Sequence, residues 1–173
     1  MSGGHVHRLL GMTKIAYLSL GSNIGDREDH LKQALKRLEG IGPVQSVSRF
    51  YETEPVEFTE QALFLNCVVA LESKITPLEL IARILEIERS LGRQRIQQKG
   101  PRIIDIDILL YGDAVISSAE LTIPHPAMAR RRFVLAPLAE IAPDICHPVL
   151  NKTARQLLEE LPPGQNVWKF CKT

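Results

Sequence analysis

The sequence has little that would support a membrane, disulfide or zinc protein. No apolar run reaches the ~18 residues that span a bilayer, and the cysteines Cys67, Cys146 and Cys171 form no CxxC pair. We therefore expect no membrane segment and a reducing, cytoplasmic setting. Residues 1–13 carry glycines and histidines without a long apolar centre, so we expect a flexible tail there and a single domain over residues 14–173.

The chain also has almost no net charge and few aromatic side chains. The chain has 21 Lys+Arg against 20 Asp+Glu, a net charge of +1, and Phe, Tyr and Trp make up only 5% of its 173 residues. A general binder of nucleic acid or anionic membranes needs net positive charge, and RNA binding on a sheet needs exposed aromatics. We expect neither partner and expect a monomer, but a local basic site for one small polyanion stays compatible with this composition.

Apolar periodicity predicts alternating strands and helices in the first two thirds of the chain. Asp26 is a candidate N-cap for one helix, and Thr76-Pro77-Leu78-Glu79 is a capping box that starts another. Strands are predicted over residues 15–20, 44–51, 64–71 and 103–110. The order βαββαβ is that of the α+β, ferredoxin-like core, an antiparallel sheet with two helices on one face. A C-terminal helical and extended elaboration follows, with helices predicted over 133–141 and after Thr153.

Two aspartates alternate with isoleucines in the fourth strand. Residues two apart on a strand point to the same face, with Cα atoms about 6.6 Å apart. Asp105 and Asp107 therefore aim both carboxylates at one place, while Ile104, Ile106 and Ile108 face the core. Such a pair can hold divalent cations in phosphate chemistry, or it can be a solvent-facing pair on the open side of a sheet.

The segment before these aspartates is basic. Residues 92–102 (GRQRIQQKGPR) contain Arg93, Arg95, Lys99 and Arg102. Arginine forks bind phosphate oxygens bidentately, so a basic loop beside two carboxylates favours a polyphosphate site over a merely solvated loop. The loop lacks the Walker A pattern, which argues against a P-loop nucleotidase.

Two further features leave alternatives open. Asn66 lies in an otherwise apolar strand, where its amide either bonds within the core or reads a polar ring. Residues 21–25 (GSNIG) follow the first strand and form either a tight turn or a phosphate-cradling loop.

Six motifs occur together and in order: GSN at 21–23, FYET at 50–53, FLN at 64–66, GRQR at 92–95, GPRIIDIDIL at 100–109 and LTIPHP at 121–126. Their combination closely resembles the 6-hydroxymethyl-7,8-dihydropterin pyrophosphokinase family over about residues 14–148, and the GPRxxDxDIL element is highly specific. The resemblance implies a ferredoxin-like fold. It also implies transfer of pyrophosphate from ATP to the pterin hydroxymethyl group in tetrahydrofolate biosynthesis, releasing AMP and using two Mg²⁺ ions.

The resemblance implies a role for each matching position. Asp105 and Asp107 match metal ligands and Arg93 and Arg102 match catalytic-loop arginines, and these four form the implied catalytic set. The implied pterin contacts are Thr53, Val56, Phe64, Asn66 and Phe133. The implied ATP contacts or their supports are Glu88, Arg93, Arg95, Lys99, Arg102, Ile108, Thr122, His125 and Arg131.

Three positions depart from the family pattern. Lys99 stands where a tryptophan commonly precedes the GPR element, Glu120 where a basic nucleotide contact can occur, and Pro126 where some members have an aromatic. We expect activity despite them, because the carboxylate pair and the principal arginines are present. The alternatives are another DxD-type nucleotidyl or glycosyl transferase, a ferredoxin-like sensing or RNA-binding module, and a family member that binds ATP without turnover.

Overall fold

The computed structural model describes residues 12–55, 62–92 and 102–171 of the chain. The predicted tail lies outside these residues except for Met12 and Thr13. In chain order the elements are β1 (Lys14–Ser22), α1 (Arg27–Leu38), β2 (Val44–Val47), β3 (Tyr51–Thr53), β4 (Phe64–Ser73), α2 (Pro77–Ser90), β5 (Asp105–Tyr111), β6 (Ile116–Ser117), β7 (Thr122–Ile123), a 3-10 turn (Met128–Arg130), α3 (Arg132–Ile141), α4 (Ala154–Glu160) and β8 (Val167–Lys169).

β1 and β4 are the central pair of the main sheet. They run antiparallel, from Lys14 opposite Ser73 to Ser22 opposite Leu65. β5 pairs with the other edge of β1, while β2 and β3 pair with successive parts of β4, and β8 extends the sheet beyond β3. The sheet order β5-β1-β4-β3 confirms the predicted ferredoxin-like arrangement.

The first two helices begin where their capping residues predict. Asp26 accepts a hydrogen bond from the Asp29 N–H at 3.1 Å, and Thr76 and Glu79 form the reciprocal capping box. Both helices bury their apolar stripes against one face of the sheet, and Arg37 of α1 donates to Ser90 of α2. These contacts place the main core between the sheet and α1 and α2.

The opposite face is covered by the C-terminal elaboration. α3 and α4 pack together over β4 and form a second core around Val68, Leu135, Leu138 and Leu157. Thr153 and Gln156 form the predicted capping box of α4. No helix in the described parts of the chain is long and apolar enough to cross a membrane.

One predicted strand is divided in two. The strand predicted over 44–51 is interrupted at Ser48, whose Oγ accepts from the Val68 N–H at 2.9 Å and donates to the Arg49 carbonyl at 2.8 Å. A hydroxyl thus takes the place of a ladder contact, β2 ends at Val47, and β3 begins at Tyr51. The prediction of one continuous strand there was wrong.

Candidate active site

One row of residues crosses the sheet on the face that α3 covers. In this row Asp105 of β5 is opposite Gly21 of β1, Gly21 is opposite Asn66 of β4, and Asn66 is opposite Tyr51 of β3. Neighbouring strands are about 4.8 Å apart, so the backbones of Asp105 and Asn66 are separated by about 10 Å. The row brings an acidic edge and an amide together, with a glycine between them.

The two aspartates share the face that the alternation predicts. Ile104, Ile106 and Ile108 are 3% exposed or less and belong to the main core, whereas the Asp105 and Asp107 side chains are 20% and 37% exposed. Both carboxylates therefore point away from the main core, towards the second helical layer.

Negative charge is concentrated at this edge. Burial and the neighbouring Asp105 carboxylate raise the pKa of Asp107 well above its usual range, and the charges of Arg131 and Arg102 oppose that shift. The fold thus holds a carboxyl group where its ionised form is disfavoured in the absence of a cation. A strained pair of this kind is typical of functional sites.

These residues fit a hard divalent cation. The donors are carboxylate oxygens, which Mg²⁺ prefers, and the crowding of Asp107 by Asp105 is a repulsion that a cation would relieve. Among the described residues no cluster of three or more His, Cys, Asp or Glu side chains could hold a metal alone. Mg²⁺ sites in phosphate chemistry commonly combine one or two carboxylates with water and phosphate oxygens, and the Asp105–Asp107 pair fits such a site.

Arg102 is held beside the aspartates by both its side chain and its backbone. Its guanidinium donates to Asp105 Oδ2 at 2.8 Å. Its N–H donates to Asn23 Oδ1 at 2.7 Å, and its carbonyl accepts from the Asn23 N–H at 3.0 Å. Asn23 also donates from Nδ2 to the Ala62 carbonyl at 3.4 Å, so it joins the segment before β5 to the segment before β4.

His125 faces the same carboxylate pair. Burial and the Arg131 charge lower the pKa of His125 to about 4, so its imidazole is neutral at pH 7. Nδ1 accepts from the Ala127 N–H at 3.1 Å, which leaves the proton on Nε2, 3.9 Å from Asp107 Oδ2. The residue thus presents an uncharged donor to the acidic edge.

Close contacts fix the position of the Asn66 amide at the other end of the row. Asn66 is buried, and its Nδ2 donates to Thr53 Oγ1. A Cβ atom built on Gly21 would lie 2.6 Å from Asn66 Oδ1 and 3.6 Å from the Phe64 ring. Gly21 therefore leaves the space in which the Asn66 amide lies.

An aromatic and a cation approach this end from α3. Phe133 is in the first turn of α3, which packs over β4 and β3, and the Arg131 guanidinium carbon lies 5.5 Å from the centre of its ring. The Arg131 charge also lowers the pKa of Asp107, so Arg131 is near the acidic edge as well as beside the Phe133 ring. Thr53, Phe64, Asn66 and Phe133 are thus brought to one sheet face.

Four of the predicted nucleotide residues, Glu88, Ile108, Thr122 and His125, lie on β5 or on segments that contact it. Glu88 is buried, and its Oε1 accepts from the Ile106 N–H at 2.8 Å, so it supports the strand. Ile108 is two residues further along β5, beside an irregularity in the register with β1, and its side chain is in the core. Thr122 is exposed in β7, and the His125 N–H donates to the Leu109 carbonyl at 2.9 Å.

Four predicted site residues lie outside the described part of the chain: Val56, Arg93, Arg95 and Lys99. The sequence analysis assigned no supporting role to Asn23 or Arg27, although both connect segments that surround the site. Arg27 donates to Glu52 at 2.6 Å and to the Leu63 carbonyl at 3.1 Å, and so ties α1 to β3 and to the start of β4. The GSN motif contains Asn23, but a tight turn between strand and helix was the favoured explanation of that motif, and the partners of Asn23 are 39 and 79 residues away.

A ferredoxin-like sheet with paired carboxylates and an arginine at one edge fits a class of proteins that handle phosphorylated small molecules. Comparison with known sequences gives the family. The chain belongs to the 7,8-dihydro-6-hydroxymethylpterin-pyrophosphokinase (HPPK) family, whose sequence model matches residues 17–143.

Individual relatives agree with this assignment. The 2-amino-4-hydroxy-6-hydroxymethyldihydropteridine pyrophosphokinase of Bacillus subtilis is 45% identical over 161 residues, which cover 91% of this chain and 92% of that protein. The folic acid synthesis protein fol1 of Schizosaccharomyces pombe is 45% identical over 152 residues, which cover 86% of this chain. The match covers only 21% of that protein and 23% of the Dictyostelium discoideum relative FOL1, so the chain spans about a fifth of their length.

Solved structures share the fold. The crystal structure of wild-type Plasmodium falciparum HPPK-DHPS with pteroate superposes with a TM-score of 0.68 at 20% identity, covering 86% of this chain and 42% of that one. At this identity the likeness shows the ferredoxin-like architecture alone.

Proposed function

We propose that the protein transfers the pyrophosphoryl group of ATP to the hydroxymethyl group of 6-hydroxymethyl-7,8-dihydropterin, a step of folate biosynthesis. The family and the names of its relatives support this activity. The single observation that carries it is the row from Asp105 through Gly21 to Asn66, which puts the acidic edge and the Asn66 amide about 10 Å apart on one face of the sheet.

The chemistry is a displacement at the β-phosphorus of ATP. The pterin hydroxymethyl oxygen forms a bond to this phosphorus while the bond to the oxygen shared with the α-phosphate breaks. AMP leaves with that oxygen, the hydroxyl proton passes to solvent or to a phosphate oxygen, and the pterin gains two phosphates. Such reactions are accelerated mainly by alignment and by stabilisation of phosphate charge.

Asp105 and Asp107 would hold the divalent cations that this transfer requires, two Mg²⁺ ions in the proposal. When bound, such ions would supply positive charge that offsets the charge of the phosphates. Asn23 holds the backbone of Arg102 and Asp105 holds its guanidinium, which would add a bidentate donor to the same phosphates. On sequence grounds we propose that Arg93, Arg95 and Lys99 contact them as well.

The space bounded by Thr53, Phe64, Asn66 and Phe133 is the proposed pterin slot. Asn66 offers a donor and an acceptor to the amide-like edge of the ring, and an aromatic can stack on the ring face. Val56 is a further proposed contact on sequence grounds. The proposed nucleotide contacts are the backbone of Ile108 with Thr122, His125 and Arg131, while Glu88 supports the strand.

The activity is tested by measuring AMP release from ATP and Mg²⁺ with and without the dihydropterin. We expect AMP formation that depends on the pterin and is lost in Asp107→Asn. The matched control is Asp144→Asn, which removes an exposed aspartate paired with Arg155 at 3.6 Å that belongs to neither the acidic edge nor the pterin slot. Absence of pterin-dependent AMP, with the protein folded, would contradict the proposal.

We also propose that the chain works as a monomer in the cytoplasm. Its three cysteines are free, and one of them, Cys67, is buried in the core. Light scattering at the assay concentration measures the molar mass. The mass of one chain is expected, and the mass of a dimer would contradict this proposal.

A further inference from the structure

Glu140, near the end of α3, connects this helix to the start of β3. Its Oε2 accepts from the Arg49 N–H at 2.7 Å, and its Oε1 accepts from the Tyr51 hydroxyl. Glu140 itself is exposed, whereas Tyr51 is buried, 7% exposed. A surface carboxylate thus reaches inward and binds one backbone group and one buried side chain of the same short segment.

This contact belongs to the element that carries Phe133. Glu140 follows Phe133 by seven residues, or two helical turns, so both lie on the same side of α3, about 10 Å apart along its axis. The start of the helix is held by a different part of the chain, because the Arg132 N–H donates to Gln165 Oε1 at 2.7 Å. The two ends of α3 therefore have separate anchors.

Tyr51 also belongs to the row that contains the ring-reading amide. It is opposite Asn66, and Thr53, two residues further along β3, shares its face and accepts from Asn66 Nδ2. A shift of α3 relative to β3 would thus change the distance between Phe133 and the Thr53–Asn66 pair.

The Tyr51 hydroxyl stays a donor over the whole working range of pH. Burial, followed by the hydrogen bond to Glu140, raises the pKa of Tyr51 to about 12. A hydrogen bond to a carboxylate is stronger than one between neutral groups, which suits a contact that fixes a separation.

We propose that Glu140 is a positioning residue for pterin binding: through Tyr51 and Arg49 it fixes α3 against β3 and so sets the width of the pterin slot. This inference rests on the proposed function, because the slot is assigned there. Glu140 touches neither the acidic edge nor the outer edge of β5 through these contacts, so its loss should act on the pterin and spare the nucleotide.

The test compares Glu140→Ala, Glu140→Gln and Tyr51→Phe with the parent. Measurements are pterin affinity without nucleotide, affinity for a non-hydrolysable ATP analogue, KM and kcat, and melting temperature. We expect Glu140→Ala and Tyr51→Phe to weaken pterin binding and raise its KM by about threefold to tenfold, or about 0.7–1.4 kcal/mol. Affinity for the analogue should be unchanged, and kcat should change less than KM.

Two further variants sharpen the result. Glu140→Gln keeps one acceptor oxygen and should give an intermediate pterin affinity. The double variant Glu140→Ala/Tyr51→Phe should be no weaker than Glu140→Ala alone, because the two single changes remove the same contact.

Tyr111→Phe is the matched control, since this tyrosine hydroxyl donates to the Ile75 carbonyl at the opposite end of the sheet. It should leave pterin affinity unchanged even if the melting temperature falls. Unchanged pterin binding in folded Glu140→Ala and Tyr51→Phe, or an equal loss in Tyr111→Phe, would overturn the inference. Phe133→Ala separates this failure from failure of the proposed function: if Phe133→Ala also binds pterin normally, the slot itself is wrongly assigned.

Discussion

Gly21 of β1 lies directly against the side chain of Asn66 in β4, so closely that a methyl group at position 21 would lie 2.6 Å from Asn66 Oδ1. The backbone of Gly21 is not in the left-handed region that favours glycine, so space rather than conformation requires glycine here. The Asn66 amide can therefore occupy its position only because the residue opposite it on β1 has no side chain.

We predict that Gly21→Ala displaces the Asn66 amide and weakens pterin binding at least about tenfold, the factor that corresponds to about 1.4 kcal/mol. Overpacking should also lower the free energy of unfolding by about 1–3 kcal/mol. Pterin titration and chemical denaturation measure the two effects. Gly40→Ala adds the same methyl group after α1, where the nearest atom is the Arg37 carbonyl oxygen at 3.2 Å, and should keep normal pterin affinity. Normal affinity in folded Gly21→Ala would show that Asn66 does not read the ring.

Removing the acidic charges should separate stability from rate. Folding raises the pKa of Asp107, so its ionised form opposes folding at neutral pH, and this cost disappears as pH falls and the carboxyl is protonated. Asp107→Asn should therefore be at least as stable as the parent without metal, whereas Asp105→Asn also loses the ion pair with Arg102 and should gain less.

Both of these variants should lose at least about 100-fold in turnover, or about 2.7 kcal/mol in barrier height. Addition of Mg²⁺ with an ATP analogue should raise the melting temperature of the parent and not that of Asp107→Asn. Thermal unfolding with and without metal, beside the turnover assay, provides the check. If both variants unfold while the remaining folded protein turns over normally, the pair is structural.

Asn23 should matter for catalysis more than for stability. Asn23→Ala removes the acceptor for the Arg102 N–H and the donor to the Ala62 carbonyl, while the backbone contact to the Arg102 carbonyl is kept. We predict a fall in kcat of about tenfold to 100-fold, or about 1.4–2.7 kcal/mol, because the guanidinium beside Asp105 loses its fixed position. Asn166→Ala, which removes an exposed hydrogen bond to Glu54 at 3.3 Å, is the control and should leave kcat unchanged. Equal kcat values for the two variants would exclude a role for Asn23 in placing Arg102.

His147 should make stability depend on pH. Burial lowers its pKa, and its Nδ1 accepts from the N–H groups of Val149 and Leu150 at 3.2 and 3.0 Å. The unfolded chain therefore takes up a proton more readily than the folded one, and stability is lost as pH falls below about 6.5. His147→Asn keeps an acceptor near the same place without a proton to bind, so its unfolding free energy should fall less between pH 7 and 5. Identical slopes for parent and variant would contradict this assignment.

The fold could be predicted from the sequence where the local sequence pattern agrees with the packing of the folded chain. Capping residues at Asp26, Thr76 and Thr153 place three helix starts, and the alternation of Asp105 and Asp107 with isoleucines gives the orientation of β5. The division of β2 from β3 was not accessible, because it depends on a hydroxyl of Ser48 that bonds to a strand 20 residues away.

Other parts of the structure carry too little local signal. β8 has three residues, exposes Trp168, and exists through pairing with β3 more than 110 residues earlier, so no periodicity could predict it. Thr53, Phe64, Asn66, Asp105 and Asp107 share one face of the sheet because the strand order brings their strands together. Asn23 and Glu140 form hydrogen bonds with distant segments of the chain, which residue type alone does not reveal.

The central claim is that the group transferred is pyrophosphate, and product analysis tests it most directly. After incubation with ATP, Mg²⁺ and 6-hydroxymethyl-7,8-dihydropterin, mass spectrometry should find the pterin with two added phosphates and an equal amount of AMP. Formation of ADP with a pterin monophosphate, or ATP consumption that leaves the pterin unmodified, would contradict the claim.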